Sequence, residues 1–172
     1  MESFETKIKI LIDLVTQKNE MLEILHNIVT NQRTLLELIM TTTHQLTDEQ
    51  ALEIKQIFSD MILEKERQIT KINESDQVFA KLFESLDNFE AQAQNHKELV
   101  RTLQQLVQVT TELDVSVRVA ENENERMITE KNLRNEGFKS GTSLMKTEKV
   151  DTTPVSKKKI MDSYKNNKDF KK

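Results

Sequence analysis

Residues 4–39, FETKIKILIDLVTQKNEMLEILHNIVTNQRTLLELI, decide the fold. Positions spaced alternately by four and three hold Phe4, Ile8, Leu11, Val15, Lys18, Leu22, Leu25, Val29, Gln32, Leu36 and Ile39, and nine of these eleven are apolar. That spacing keeps one row of side chains on one face of a helix, the heptad seam of a coiled coil. A second row every seventh residue, Leu14, Met21, Ile28 and Leu35, widens the stripe beyond what a two-stranded coiled coil needs, so this helix expects more than one neighbour. At 1.5 Å per residue it is roughly 60 Å long.

Further along, the β-branched run Thr41-Thr42-Thr43 loses side-chain freedom in a helix, and His44 follows it. Thr47 is placed as N-cap, with Asp48 and Glu49 suited to the positive helix end and Gln50 completing a capping-box pattern. The pattern predicts a tight reversal at 42–47. The seam resumes through Ala51, Ile54, Phe58, Met61, Lys65, Gln68, Ile72, Ser75, Phe79, Leu82, Leu86, Phe89 and Ala93, which predicts one long second helix over 48–93 antiparallel to the first. Asn73-Glu74-Ser75-Asp76 can compete for backbone hydrogen bonds, but the unbroken phase argues against a break there. Propensity dips at Gln94-Asn95-His96. The best seam then moves to Leu99, Leu103, Leu106, Thr110, Leu113, Val117, Ala120, Asn124 and Met127, a third helix over 96–135. Asn135-Glu136-Gly137 resembles a helix stop, with Gly137 available for a left-handed cap.

Composition supports an elongated all-α chain: a helical hairpin or bundle of about three long helices with coiled-coil-like seams (1–136), then a flexible basic C-terminal tail (137–172). Both glycines (Gly137, Gly141) and the single Pro154 fall in the last 36 residues, so nothing before them breaks regular structure strongly. No run alternates apolar and polar residues between turn signals, so no sheet is expected. Of 25 Lys+Arg, ten lie in 137–172 against four of the 29 acids, which makes the body acidic (−10) and the tail basic (+6). The tail is too poor in apolar groups to fold alone, although a short helix over 157–164 can form on a partner.

Several function classes find no support. Without Cys there is no disulfide, thiolate metal site or cysteine nucleophile, which fits a reducing cytoplasmic setting. The N-terminus lacks a secretory pattern and no window approaches 18 consecutive apolar residues, so neither secretion nor membrane insertion is expected. Asn73-Glu74-Ser75 is a sequon by chance. Glu23-x-x-His26 has di-iron spacing, but such a site needs a second copy and two more inward carboxylates; a solvated Glu beside a surface His is the better reading. His44 and His96 sit in turn regions, and no glycine loop can cradle a phosphate. No catalysis and no cofactor are expected. Lys157-Lys158-Lys159 with Lys165, Lys168, Lys171 and Lys172 is thinly spread beside an acidic body, which opposes nucleic acid and favours a solubilising or protein-docking tail.

The chain resembles the FlgN family of flagellar type III export chaperones. The resemblance rests on layout and on Leu11-Ile12-Asp13-Leu14, Ile62-Leu63-Glu64-Lys65-Glu66-Arg67-Gln68-Ile69 with Ile72 and Phe79, and Leu103-Gln104-Gln105-Leu106 followed by Glu121, Asn122 and Asn124. It covers most of 1–136 plus Tyr164; the polar stretch 146–153 departs from it as an insertion. It implies a cytoplasmic chaperone, monomeric or weakly homodimeric, that binds flagellar hook-associated proteins, keeps them unpolymerised and delivers them to the membrane export gate. FliT-type chaperones, of similar layout, serve the filament cap protein. On this reading Leu99, Leu103, Leu106, Leu113, Val117, Ala120 and Met127 form the client face and Tyr164 docks at the gate. The rival reading is a structural coiled-coil scaffold that self-associates through the same seams.

Overall fold

A computed structural model of the chain describes residues 2–42, 45–131, 133 and 138. These form four helices, α1 (Phe4–Thr42), α2 (Asp48–Glu84), α3 (Phe89–Asn95) and α4 (Lys97–Glu130), and no strand occurs among the described residues. The architecture is an all-α bundle of three long helices and one short one. None of the helices is long and apolar enough to cross a membrane among the described residues.

The buried residues of α1 are Ile8, Leu11, Val15, Lys18, Leu22, Leu25, Val29, Gln32, Leu36 and Ile39, ten of the eleven seam positions, and Phe4 is half-buried at the end of the row. Leu14, Met21, Ile28 and Leu35 are all half-buried beside it, because α1 packs along its length against both α2 and α4. Lys65 of α2 meets Gln32 while Asp76 meets Lys18, so α1 and α2 run antiparallel. Thr110 of α4 meets Asn19 while Asn124 meets Val29 and Arg33, so α4 runs parallel to α1. The chain therefore goes up, down and up again.

The reversal after α1 is built as the capping chemistry requires. The Thr47 hydroxyl accepts from the Gln50 amide (3.1 Å) and the Gln50 side chain accepts from the Thr47 amide (3.0 Å), satisfying two N–H groups that the first turn leaves without a helical partner. Residues 43 and 44, which include the turn position His44, lie outside the described residues.

The second helix does not reach 93: α2 ends at Glu84, α3 is a separate helix of about two turns, and α4 starts at Lys97. The cause is local. The Ser85 hydroxyl donates to the Leu82 carbonyl (2.6 Å), its amide donates to the Lys81 and Leu82 carbonyls, and Asn88 takes a left-handed conformation (φ 51°, ψ 46°) that Asn tolerates better than most residues. The apolar phase survives the break because α3 folds back over the bundle end. Phe83 stacks near Phe79 (ring centroids 6.0 Å) and contacts Phe89 (5.6 Å), Phe89 meets Phe4 (5.9 Å), and Phe4 stacks on His96 (5.5 Å). Through 73–76, by contrast, α2 is continuous. At the other end α4 stops at Glu130 rather than 135; the expected stop at 135–137 and the tail from 139 lie outside the described residues.

The core is three apolar clusters rather than one. The first joins Ile8, Leu11, Val15, Phe79, Phe83, Ala93, Val100, Leu103 and Val107; the second joins Leu22, Leu25, Val29, Ile69, Ile72 and Val117. The third, at the α1–α2 turn end, joins Leu36, Ile39, Ile54, Phe58 and Ile128 with Leu133 and Phe138. Charged and amide groups separate them.

Candidate partner-binding face and the buried polar layers

Lys18 and Gln32, the two seam positions of α1 that are not apolar, each anchor a polar layer. They are two heptads apart, roughly 21 Å along the helix. In the lower layer the Lys18 ammonium donates to Asp76 at 2.7 Å, and both side chains are only 7 % exposed. In the upper layer the Lys65 ammonium pairs with Glu121 of α4 and donates to Gln32 Oε1 at 3.0 Å, with Lys65 1 % and Glu121 2 % exposed. Burial pushes the Lys65 ammonium below its ordinary value and outweighs the pull of the Glu121 carboxylate in the opposite sense.

A second set of polar contacts ties α1 to α4 directly. The Asn124 amide donates to the Val29 carbonyl (3.0 Å), while Arg33 donates to Asn124 Oδ1 (3.2 Å) and to the Ala120 carbonyl (3.3 Å). Arg118 donates to Asp114 at 3.3 Å, and burial holds this guanidinium below its ordinary value against the favourable effect of Asp114. Gln104 is buried, yet neither its side-chain nitrogen nor its oxygen has a hydrogen-bond partner among the described residues.

All seven residues expected to face a client lie on the inner side of α4. Leu103 and Val117 are fully buried. Leu99, Leu106, Leu113, Ala120 and Met127 are half-buried and packed against the three clusters. In this arrangement they complete the bundle against α1, and presenting them to another helix requires α4 to move away. The line of deepest burial runs one position further on, through Val100, Val107, Asp114, Glu121 and Ile128, sharing Leu103, Thr110, Val117 and Asn124 with the expected seam. Sequence reasoning missed Asp114 and Glu121 because a charged residue counts against a seam unless its buried partner is known.

The buried faces of the two helices differ in kind. Eight of the ten buried residues of α1 are apolar, but on α4 only five of ten are, the others being Gln104, Thr110, Asp114, Glu121 and Asn124. The inner face of α4 is thus the more polar of the two, and Glu121 and Asn124 on it bond across to α2 and α1.

Tyr164 lies outside the described residues. Glu23 is exposed and its carboxylate sits 3.5 Å from the Asn19 amide nitrogen, while His26 is half-buried; no cluster of three metal-ligating side chains occurs among the described residues. Compared with protein-family models, with curated proteins and with solved structures, the chain has no match.

Proposed function

We propose that this chain is a non-catalytic cytoplasmic chaperone for flagellar export, of the kind the FlgN resemblance implies. It binds hook-associated junction proteins or the filament cap protein, holds their terminal helices apart from one another and hands them to the export gate. The observation that carries the reading is the half-polar inner face of α4. A helix with five polar residues among its ten buried ones tolerates water when it leaves the bundle, and its departure frees the Leu99, Leu103, Leu106, Leu113 and Val117 side of α4 for a client helix. Each buried Leu contributes roughly 1.5–3 kcal/mol, so a client helix that covers three or four such positions reaches useful affinity. Tyr164, with a ring and a hydroxyl, serves gate docking on this reading.

The test is co-purification from a flagellated cell, with bound proteins identified by mass spectrometry, for the unaltered chain and for Leu106→Asp. The expected result is one junction or cap protein on the unaltered chain and its loss from the variant with helix content retained. Recovery of nothing but the chain itself as a stable oligomer moves the assignment to a self-associating scaffold. Undiminished capture by a folded Leu106→Asp variant removes α4 from the client face.

A further inference from the structure

The hairpin end of α1 and α2 carries an apolar strip that nothing among the described residues covers. Ile24 and Leu38 are each 44 % exposed, and Ile28 and Leu35 between them are half-buried. Spacings of four, seven and three place these residues on one flank of α1, turned away from the Asn19 and Arg33 row that contacts α4. The antiparallel register set by Lys18–Asp76 and Gln32–Lys65 brings Ile57, 40 % exposed, to the height of Leu38, and half-buried Met61 to that of Leu35.

This end is also acidic. Residues 34–63 hold Glu37, Asp48, Glu49, Glu53 and Asp60, all exposed, against Lys55. Glu53 and Asp60 lie four residues before and three after Ile57, on its own side of α2.

We propose that the basic segment of this same chain at 157–164 docks on that strip. Three observations identify the occupant. The chain leaves the described bundle here: Phe138 sits edge-on to Phe58 (5.3 Å) in the cluster of Leu36, Ile39 and Ile54. Eighteen residues separate Phe138 from Lys157, a contour of up to roughly 65 Å, whereas the strip from Leu38 to Ile24 is roughly 21 Å long. The segment Lys157-Lys158-Lys159-Ile160-Met161-Asp162-Ser163-Tyr164 offers what the strip lacks, three consecutive ammonium groups beside Ile160, Met161 and Tyr164 at helical spacing. Tethering makes the encounter intramolecular, so modest contact area is enough. The docking does not depend on the chaperone reading, because the strip lies away from α4.

The chain contains no Cys, so a pair of introduced thiols reports cleanly. In dilute full-length protein, Leu38→Cys with Met161→Cys is treated with a short bis-maleimide and compared with Val119→Cys and Met161→Cys, since Val119 is exposed on α4. The expected result is an intramolecular cross-link that forms about tenfold faster at position 38, the preference a docked segment gives over a merely tethered one. It falls to the control rate when Lys157, Lys158 and Lys159 are replaced by Glu. Equal rates at the two sites, or a rate indifferent to the charge reversal, overturn the proposal. Cross-links formed only between two molecules overturn it in favour of a second copy as the occupant.

Discussion

Replacing Lys65 by Met removes an ammonium that is 1 % exposed and leaves Glu121, 2 % exposed, without the charge it pairs with. Breaking a buried pair from one side costs about 3–5 kcal/mol, because the remaining charge stays in a low-dielectric interior. Replacing both members, Lys65→Met with Glu121→Leu, removes both desolvation penalties but takes the donor from buried Gln32 Oε1, at about 1–3 kcal/mol, so the double variant is expected to lie near neutral. The two single variants and the double variant thus form a strongly non-additive cycle. The assay is urea unfolding followed by circular dichroism, with thermal melts in parallel, where about 3–5 kcal/mol lowers Tm by roughly 10–20 °C. The pH dependence has a definite sign. The folded pKa of Lys65 lies below 10.5, so between the two values the unfolded chain holds the proton that the folded chain has released. Stability from this group therefore rises with pH across that window, and Lys65→Met abolishes that rise. A Lys65→Met variant that loses less than about 1 kcal/mol, or a cycle that is additive, refutes the reading of this layer as a dry charge pair.

Gln104→Leu is expected to raise stability by about 1–2 kcal/mol in the same assay, since it replaces a buried amide that has no hydrogen-bond partner among the described residues. A loss of stability would mean the amide is satisfied. Thr47→Ala removes the cap of α2 and should cost about 0.5–2 kcal/mol, which Gln50→Ala should share in part because the two side chains act reciprocally. Asn88→Gly should change the urea midpoint little, whereas Asn88→Val, forced into φ 51°, should cost about 1–2 kcal/mol; equal effects would mean that the left-handed turn is not populated.

The legible parts of this fold are those that helix geometry fixes within a few turns. Ten of the eleven seam positions of α1 are buried, including Lys18 and Gln32, because a single long helix carries its face in its own period. The Thr47–Gln50 box is equally local. On α2 the strict heptad slips: Asp76 and Phe83 are buried where Ser75 and Leu82 stand on the heptad line, as expected when a 3.6-residue turn drifts against a 3.5-residue repeat. The break at 85–88 was hidden because Leu86, Phe89 and Ala93 continue the apolar phase, and only the chain of rings from Phe79 to His96 turns that phase into a folded-back end.

The residues of α4 put in place of a free client face are the sharpest case. The sequence by itself determined that Leu99, Leu103, Leu106, Leu113, Val117, Ala120 and Met127 lie on one side of a helix, since that follows from spacing alone. Tertiary structure alone decided that this side packs on α1, that its deepest line passes through Asp114 and Glu121, and that Lys65 reaches across from α2 to meet one of them. A charge pair between residues 56 positions apart leaves no trace in local periodicity; it becomes favourable only when three helices in register exclude the water that would otherwise solvate each partner.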